Sequence, residues 1–89
     1  MIRILIADDH AIVRAGLKQF IADQGDMQVA GEAATGTEAI ALVRAGEYDV
    51  VLLDISMPDK NGIDTLKTLR QVQPEMPVLM LTKSKVMVP

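Results

Sequence analysis

A doubly wound α/β fold with one parallel sheet is predicted by three features of the sequence. Short apolar, β-branched runs alternate with amphipathic stripes of helical spacing, the links between them are short, and carboxylates cluster at the ends of two of the apolar runs. Alternation of this kind closes into a parallel sheet through right-handed crossovers, with helices on both faces.

Ile2–Ala7 is short, β-branched and apolar but for Arg3, and stops abruptly at Asp8-Asp9-His10, as a buried parallel strand does when it enters a polar loop. Ile12, Val13, Gly16, Leu17, Phe20 and Ile21 then form two adjacent rows at helical spacing, ended by Gln24-Gly25-Asp26. Met27–Ala33 is a weaker strand. Thr35-Gly36-Thr37-Glu38 has the Thr-x-x-Glu form of a capping box and starts a second helix, for which Gly46 is a left-handed stop. Val50–Leu53 is the most apolar run and reads as a central strand ending in Asp54. Ile63, Leu66 and Leu69 line a third helix, closed by Gln73-Pro74, and Pro77–Thr82 is a fourth strand.

The 89 residues suffice for one domain, which buries about 60–65% of its unfolded surface. Phe20 and Tyr48 are the aromatic residues, so the core is left to aliphatic side chains and methionine. The absence of cysteine excludes disulfides, thiolate metal sites and thiol catalysis. No apolar run approaches the ~20 residues that span a bilayer, and Met1 opens directly into a strand, so a cytoplasmic location is expected. A net charge of −3 without a basic cluster offers nucleic acid no footprint, and no specific DNA binding is expected of this segment.

In an open parallel sheet, ligands bind beyond the carboxyl ends of the strands, where neighbouring connections diverge. If the first and third strands are neighbours, Asp8, Asp9 and Asp54 meet in one crevice. Their mutual repulsion calls for a cation, and hard oxygen donors suit Mg²⁺. Any one of them alone reads equally as a turn residue or helix cap. His10 beside the pair invites a role as ligand or proton shuttle, but at a helix entry it reads as a solvated loop residue. The six methionines read as core filler.

Asp8-Asp9 after the first strand, Asp54-Ile55-Ser56-Met57-Pro58 with Gly62 eight residues after the Asp, and Leu81-Thr82 ending the fourth strand occur in order. Together they resemble the receiver domain of two-component response regulators, a flavodoxin-like (CheY-like) fold, over residues 1 to about 82. Asp8-Asp9-His10 with Val13-Arg14-Ala15-Gly16-Leu17 is most similar to the branch whose receivers precede a LuxR-type (NarL-type) helix-turn-helix domain.

The resemblance implies strand order 2-1-3-4. It makes Asp54 the acceptor of a phosphoryl group from a sensor histidine kinase, and the chain a signalling module, not an enzyme. It further implies Mg²⁺ held by Asp8, Asp9, Asp54 and the Ser56 backbone carbonyl, and a switch hydroxyl on Thr82. The parent protein would then control transcription through a DNA-binding output domain. A carboxylate nucleophile suits this chemistry, being ionised at neutral pH without a general base. A phosphatase of the haloacid-dehalogenase type would want a second Asp two residues after the nucleophile, where Ser56 stands.

A complete receiver of this kind continues through a fourth helix, a fifth strand ending in Lys, and a fifth helix. Here Lys83–Pro89 follow the fourth strand, and read as a tail outside the family pattern or as a deletion junction, with 1–82 an incomplete receiver. Lys83 is a candidate for the family lysine, yet in a regular strand it and Thr82 point to opposite faces. The alternative function is therefore a receiver fragment that cannot be phosphorylated and acts through interactions alone. With the sheet ending at the fourth strand, Val78–Thr82 would be an unpaired edge and Ile4, Ile6, Val51 and Leu53 partly open to water. A homo-oligomer through that edge and the Lys83–Pro89 tail is the expectation.

Overall fold

The computed structural model describes residues 1–55, 57, 62–81 and 86–87. In chain order the elements are β1 (Ile2–Ala7), α1 (Ala11–Ala22), β2 (Met27–Ala33), α2 (Gly36–Ala45), β3 (Val50–Asp54), α3 (Gly62–Val72), β4 (Val78–Leu81) and β5 (Val86–Met87). The sheet order is β2-β1-β3-β4-β5. The first four strands pair in parallel, which gives the 2-1-3-4 arrangement of a doubly wound fold.

Two cores sit on opposite faces of this sheet. Leu5, Ala7, Val51, Leu53 and Val78 pack with Ala39, Ile40 and Val43 of α2 and Leu69 of α3. On the other face Ile4 and Ile6 pack with Ile21 of α1, joined by half-buried Leu17, Val29, Val50 and Leu52. The double-row stripe predicted for α1 is only half used. Ile21 is 4% exposed, whereas Ile12 is 87% and Phe20 63% exposed, because one helical row meets the sheet and the other turns away.

The capping box forms as its residues dictate, with a small difference. Thr35 Oγ1 accepts from the Glu38 N–H at 3.1 Å. The returning bond to Glu38 Oε1 comes from the Ala34 N–H at 3.0 Å, one residue before the cap. Gly46 does not adopt the expected left-handed conformation; its φ is −130° and its ψ −175°. Its value lies in space, since a Cβ there would stand 3.3 Å from the Tyr48 ring. Beyond it, Arg3 joins the start of β1 to the entry of β3: its N–H donates to Asp49 Oδ2 and its Nε–H to the Glu47 carbonyl, both at 2.8 Å.

Two expectations about the open side of the sheet need correction. A fifth strand is present, pairing antiparallel with β4 through Met80↔Met87 and Leu81↔Val86, so half of the edge is covered within the chain. Four residues separate Leu81 from Val86, too few for the crossover a parallel partner needs. Nor are the four named side chains open to water: Ile4 is 4% exposed and Ile6, Val51 and Leu53 are 0%. Ile4 lies opposite Val50 and Leu5 opposite Val51, so Val51 and Leu53 face the α2–α3 core. The half-buried row on the α1 side is Val50, Leu52, Leu79 and Leu81. Runs that are apolar on both faces do not reveal such a one-residue shift.

The register has a direct test. Leu53→Ala should destabilise by about 2–5 kcal/mol, as truncation of a fully buried leucine does, and Leu52→Ala by less than half as much. Urea unfolding of both variants measures this; equal losses would contradict the assignment of faces.

Candidate functional site

β1 and β3 are parallel neighbours in the register Ile4↔Val50 to Ala7↔Leu53, so the next residues, Asp8 and Asp54, emerge side by side at the carboxyl end of the sheet. Asp8 keeps one more backbone bond to β2, its N–H donating to Ala33 O at 2.9 Å. Asp8 is 4% and Asp54 7% exposed, while Asp9 lies at the rim. One ligand atom from each of Asp8, Asp9, His10 and Asp54 can be chosen so that all lie within 4.8 Å of one another.

The sequence alone places His10 as a solvated loop residue. Its ring is indeed 62% exposed, yet Nδ1 lies 2.9 Å from Asp8 Oδ1, 3.0 Å from Asp9 Oδ1 and 3.8 Å from Asp54 Oδ2. Its backbone N–H also donates to Asp8 Oδ1 at 2.7 Å, an Asx turn that starts α1. The hydrogen bond to Asp8, then the charge of Asp9, raise the imidazole pKa above its ordinary value. The signal for this placement was in the sequence: the histidine directly follows the acidic pair, on the same turn.

The segment after Asp54 is shaped by two residues of the motif. Met57, 4% exposed, inserts into the α2–α3 core and anchors the chain just past the carboxylate. Gly62 opens α3 directly against Ile55, donating its N–H to Ile55 O at 2.9 Å. A Cβ on Gly62 would stand 2.8 Å from the Ile55 Cβ and closer still to its Cα, a contact only glycine avoids. Of the other predicted site residues, Ser56, Thr82 and Lys83 lie outside the described residues, as does Pro58.

Chemically, the crevice offers hard oxygen donors converging from two strand ends. Such a set fits a small divalent cation, whose charge would offset the repulsion among the carboxylates. A buried carboxylate at the end of a central strand, open to a crevice on one side, is also placed to act as a nucleophile.

The model of the response regulator receiver domain matches residues 4–88, and the chain belongs to that family. It is 46% identical over 80 residues to the Bacillus subtilis transcriptional regulatory protein YhcZ, itself uncharacterized, covering 90% of this chain and 37% of that protein. Against the Staphylococcus aureus response regulator VraR it is 38% identical over 81 residues, 91% of this chain and 39% of that one. The chain thus spans about two fifths of these relatives. Among solved structures, the response regulator domain of Thermotoga maritima CheB superposes with a TM-score of 0.85 at 41% identity, over 90% of this chain and 59% of that one. RcsB of Salmonella enterica serovar Typhimurium, solved on a promoter with phosphomimetic BeF3⁻, gives 0.87 at 30% identity, over 96% and 72%.

Gly62→Ala should cost about 1–3 kcal/mol, as overpacking against a backbone does, because the Ile55 segment has to move. Chemical denaturation checks it; an unchanged midpoint would show that α3 does not start against Ile55.

Proposed function

We propose that this chain is the phosphoacceptor module of a two-component response regulator, with Asp54 receiving a phosphoryl group from the phosphohistidine of a sensor histidine kinase. The single observation that carries this reading is the convergence of Asp54 with Asp8 and Asp9 within one 4.8 Å cluster on a receiver fold. A carboxylate oxygen of Asp54 attacks phosphorus in line. A P–O bond forms as the P–N bond breaks, and the electron pair returns to the donor imidazole. A carboxylate nucleophile of this kind attacks as the anion and needs no general base.

Asp8, Asp9, Asp54 and the Ser56 carbonyl would hold Mg²⁺, which when bound would offset charge on the phosphoryl oxygens. Thr82 is assigned the switch hydroxyl, a role that comes from the family pattern, and Lys83 is a candidate for the family lysine only where the backbone departs from a regular strand. In this reading the chain is a signalling module in the cytoplasm, and no described helix is long and apolar enough to cross a membrane. Transcription would be controlled by an output domain elsewhere in the parent protein, as the regulatory relatives suggest. Association with a second copy would use the β4–β5 edge and the adjoining C-terminal segment, where only part of the strand is paired.

Incubation with acetyl phosphate and Mg²⁺ tests the chemistry. Intact-mass measurement should show gain of one phosphoryl group, lost on chelation and absent in Asp54→Ala. A gain that persists in Asp54→Ala, or none in the parent chain, would overturn the assignment.

A further inference from the structure

The turn that carries Asp8 and Asp9 is held from outside the crevice by a side chain to which the proposed chemistry gives no part. Where β1 leaves the sheet, the Asp8 carbonyl accepts from Arg14 Nη1 of α1 at 2.6 Å. The Nε–H of the same guanidinium donates to Glu32 Oε1 on β2 at 3.2 Å. Lys18 Nζ stands 2.9 Å from the other Glu32 oxygen, and the hydrogen bond from Lys18, together with the charges of Lys18 and Arg14, outweighs the opposing effect of burial and leaves the Glu32 carboxyl below its ordinary pKa. The Arg14 side chain is 20% exposed, and Asp8 is 4% exposed.

A bland account has Arg14 pinning α1 to β2. Lys18 already makes that tie, and a partly exposed ion pair adds little to stability. The shorter contact goes elsewhere, to a backbone carbonyl in the turn of the site. That carbonyl belongs to the planar peptide joining Asp8 to Asp9, so holding its oxygen sets the direction in which Asp9 leaves the strand. Asp9 is the rim carboxylate, with a side chain 30% exposed; it meets His10 Nδ1 at 3.0 Å, and its backbone leaves the strand through that peptide.

We propose that Arg14 is a positioning residue for the acidic site: Glu32 orients the guanidinium, and the guanidinium orients the Asp8–Asp9 peptide and with it the Asp9 carboxylate. This rests on the reading of the crevice as a cation site. The role needs two donors in fixed relation on one group, which the guanidinium supplies and a lysine ammonium does not.

The test uses Mn²⁺ alone as the probe, its binding read from loss of the free ion's paramagnetic resonance signal on titration with the 89-residue chain, alongside the metal-free thermal midpoint. Arg14→Lys should weaken Mn²⁺ binding about 10-fold or more, the usual effect of removing a group that orients a ligand, with little change in the midpoint. Glu32→Gln should give a smaller loss in the same direction. A lowered midpoint with unchanged Mn²⁺ affinity in Arg14→Lys would leave only the structural tie and overturn the proposal. Should that variant not fold, unchanged affinity in Glu32→Gln overturns it equally. Absence of Mn²⁺ binding by the parent chain would instead remove the cation reading, and the positioning role with it.

Discussion

The parallel pairing of β1 with β3 is the constraint on which the remaining structure depends. It brings together two strand ends that lie far apart in sequence and sets Ala7 against Leu53, so that Asp8 and Asp54 follow as neighbours. The same pairing marks the point where the chain departs to opposite faces, α1 from β1 and α3 from β3. A crevice must open there, because neither connection covers it. Burial of Ala7, Leu53 and Val51 holds the register, since a slip of one residue would turn each of these side chains to the other face. The acidic site is thus fixed by hydrophobic packing below it, and the mutual repulsion of its carboxylates is what a cation there would offset.

Around that pairing, local interactions fix described residues in the two connections beside the acidic crevice. The first is held by the Asp8 N–H on β2, the Asx turn through His10, and the Arg14 guanidinium. The second is anchored by Met57 in the core and by Gly62 against Ile55. In the proposed function, a phosphoacceptor gains from such placement, because phosphoryl transfer from nitrogen to oxygen is governed by alignment and charge stabilisation more than by covalent help from the protein. The exposed ring of His10 lies among the three carboxylates, so it shares the space through which anything reaches Asp54.

Much of this was legible in the residues. Element order, the Thr35–Glu38 cap and the central place of Val50–Leu53 follow from periodicity, composition and one side-chain pattern, each of which is local. The convergence of the carboxylates needed only the further rule that ligands gather at strand carboxyl ends. What escaped was relational. The facing of Val51 and Leu53 depends on register between runs apolar on both sides, and the antiparallel β5 on a two-residue pairing too short to leave a pattern. Gly46 reads in the sequence as a left-handed stop and serves instead to make room for Tyr48, a contact that no spacing predicts. Arg14 stands in the sequence only as part of the Val13–Leu17 stretch, and its proposed role comes from reaching back six residues to a backbone carbonyl.

The central claim is that the three carboxylates share one cation, and the dependence of thermal stability on Mg²⁺ tests it most directly. A ligand bound only by the native state stabilises by about 2.7 kcal/mol at a hundredfold excess over its dissociation constant. The melting midpoint of the parent chain should therefore rise steadily with Mg²⁺ concentration, and the rise should vanish in Asp9→Ala and in Asp54→Ala. A midpoint indifferent to Mg²⁺ in the parent, or a rise that survives both substitutions, would contradict the account.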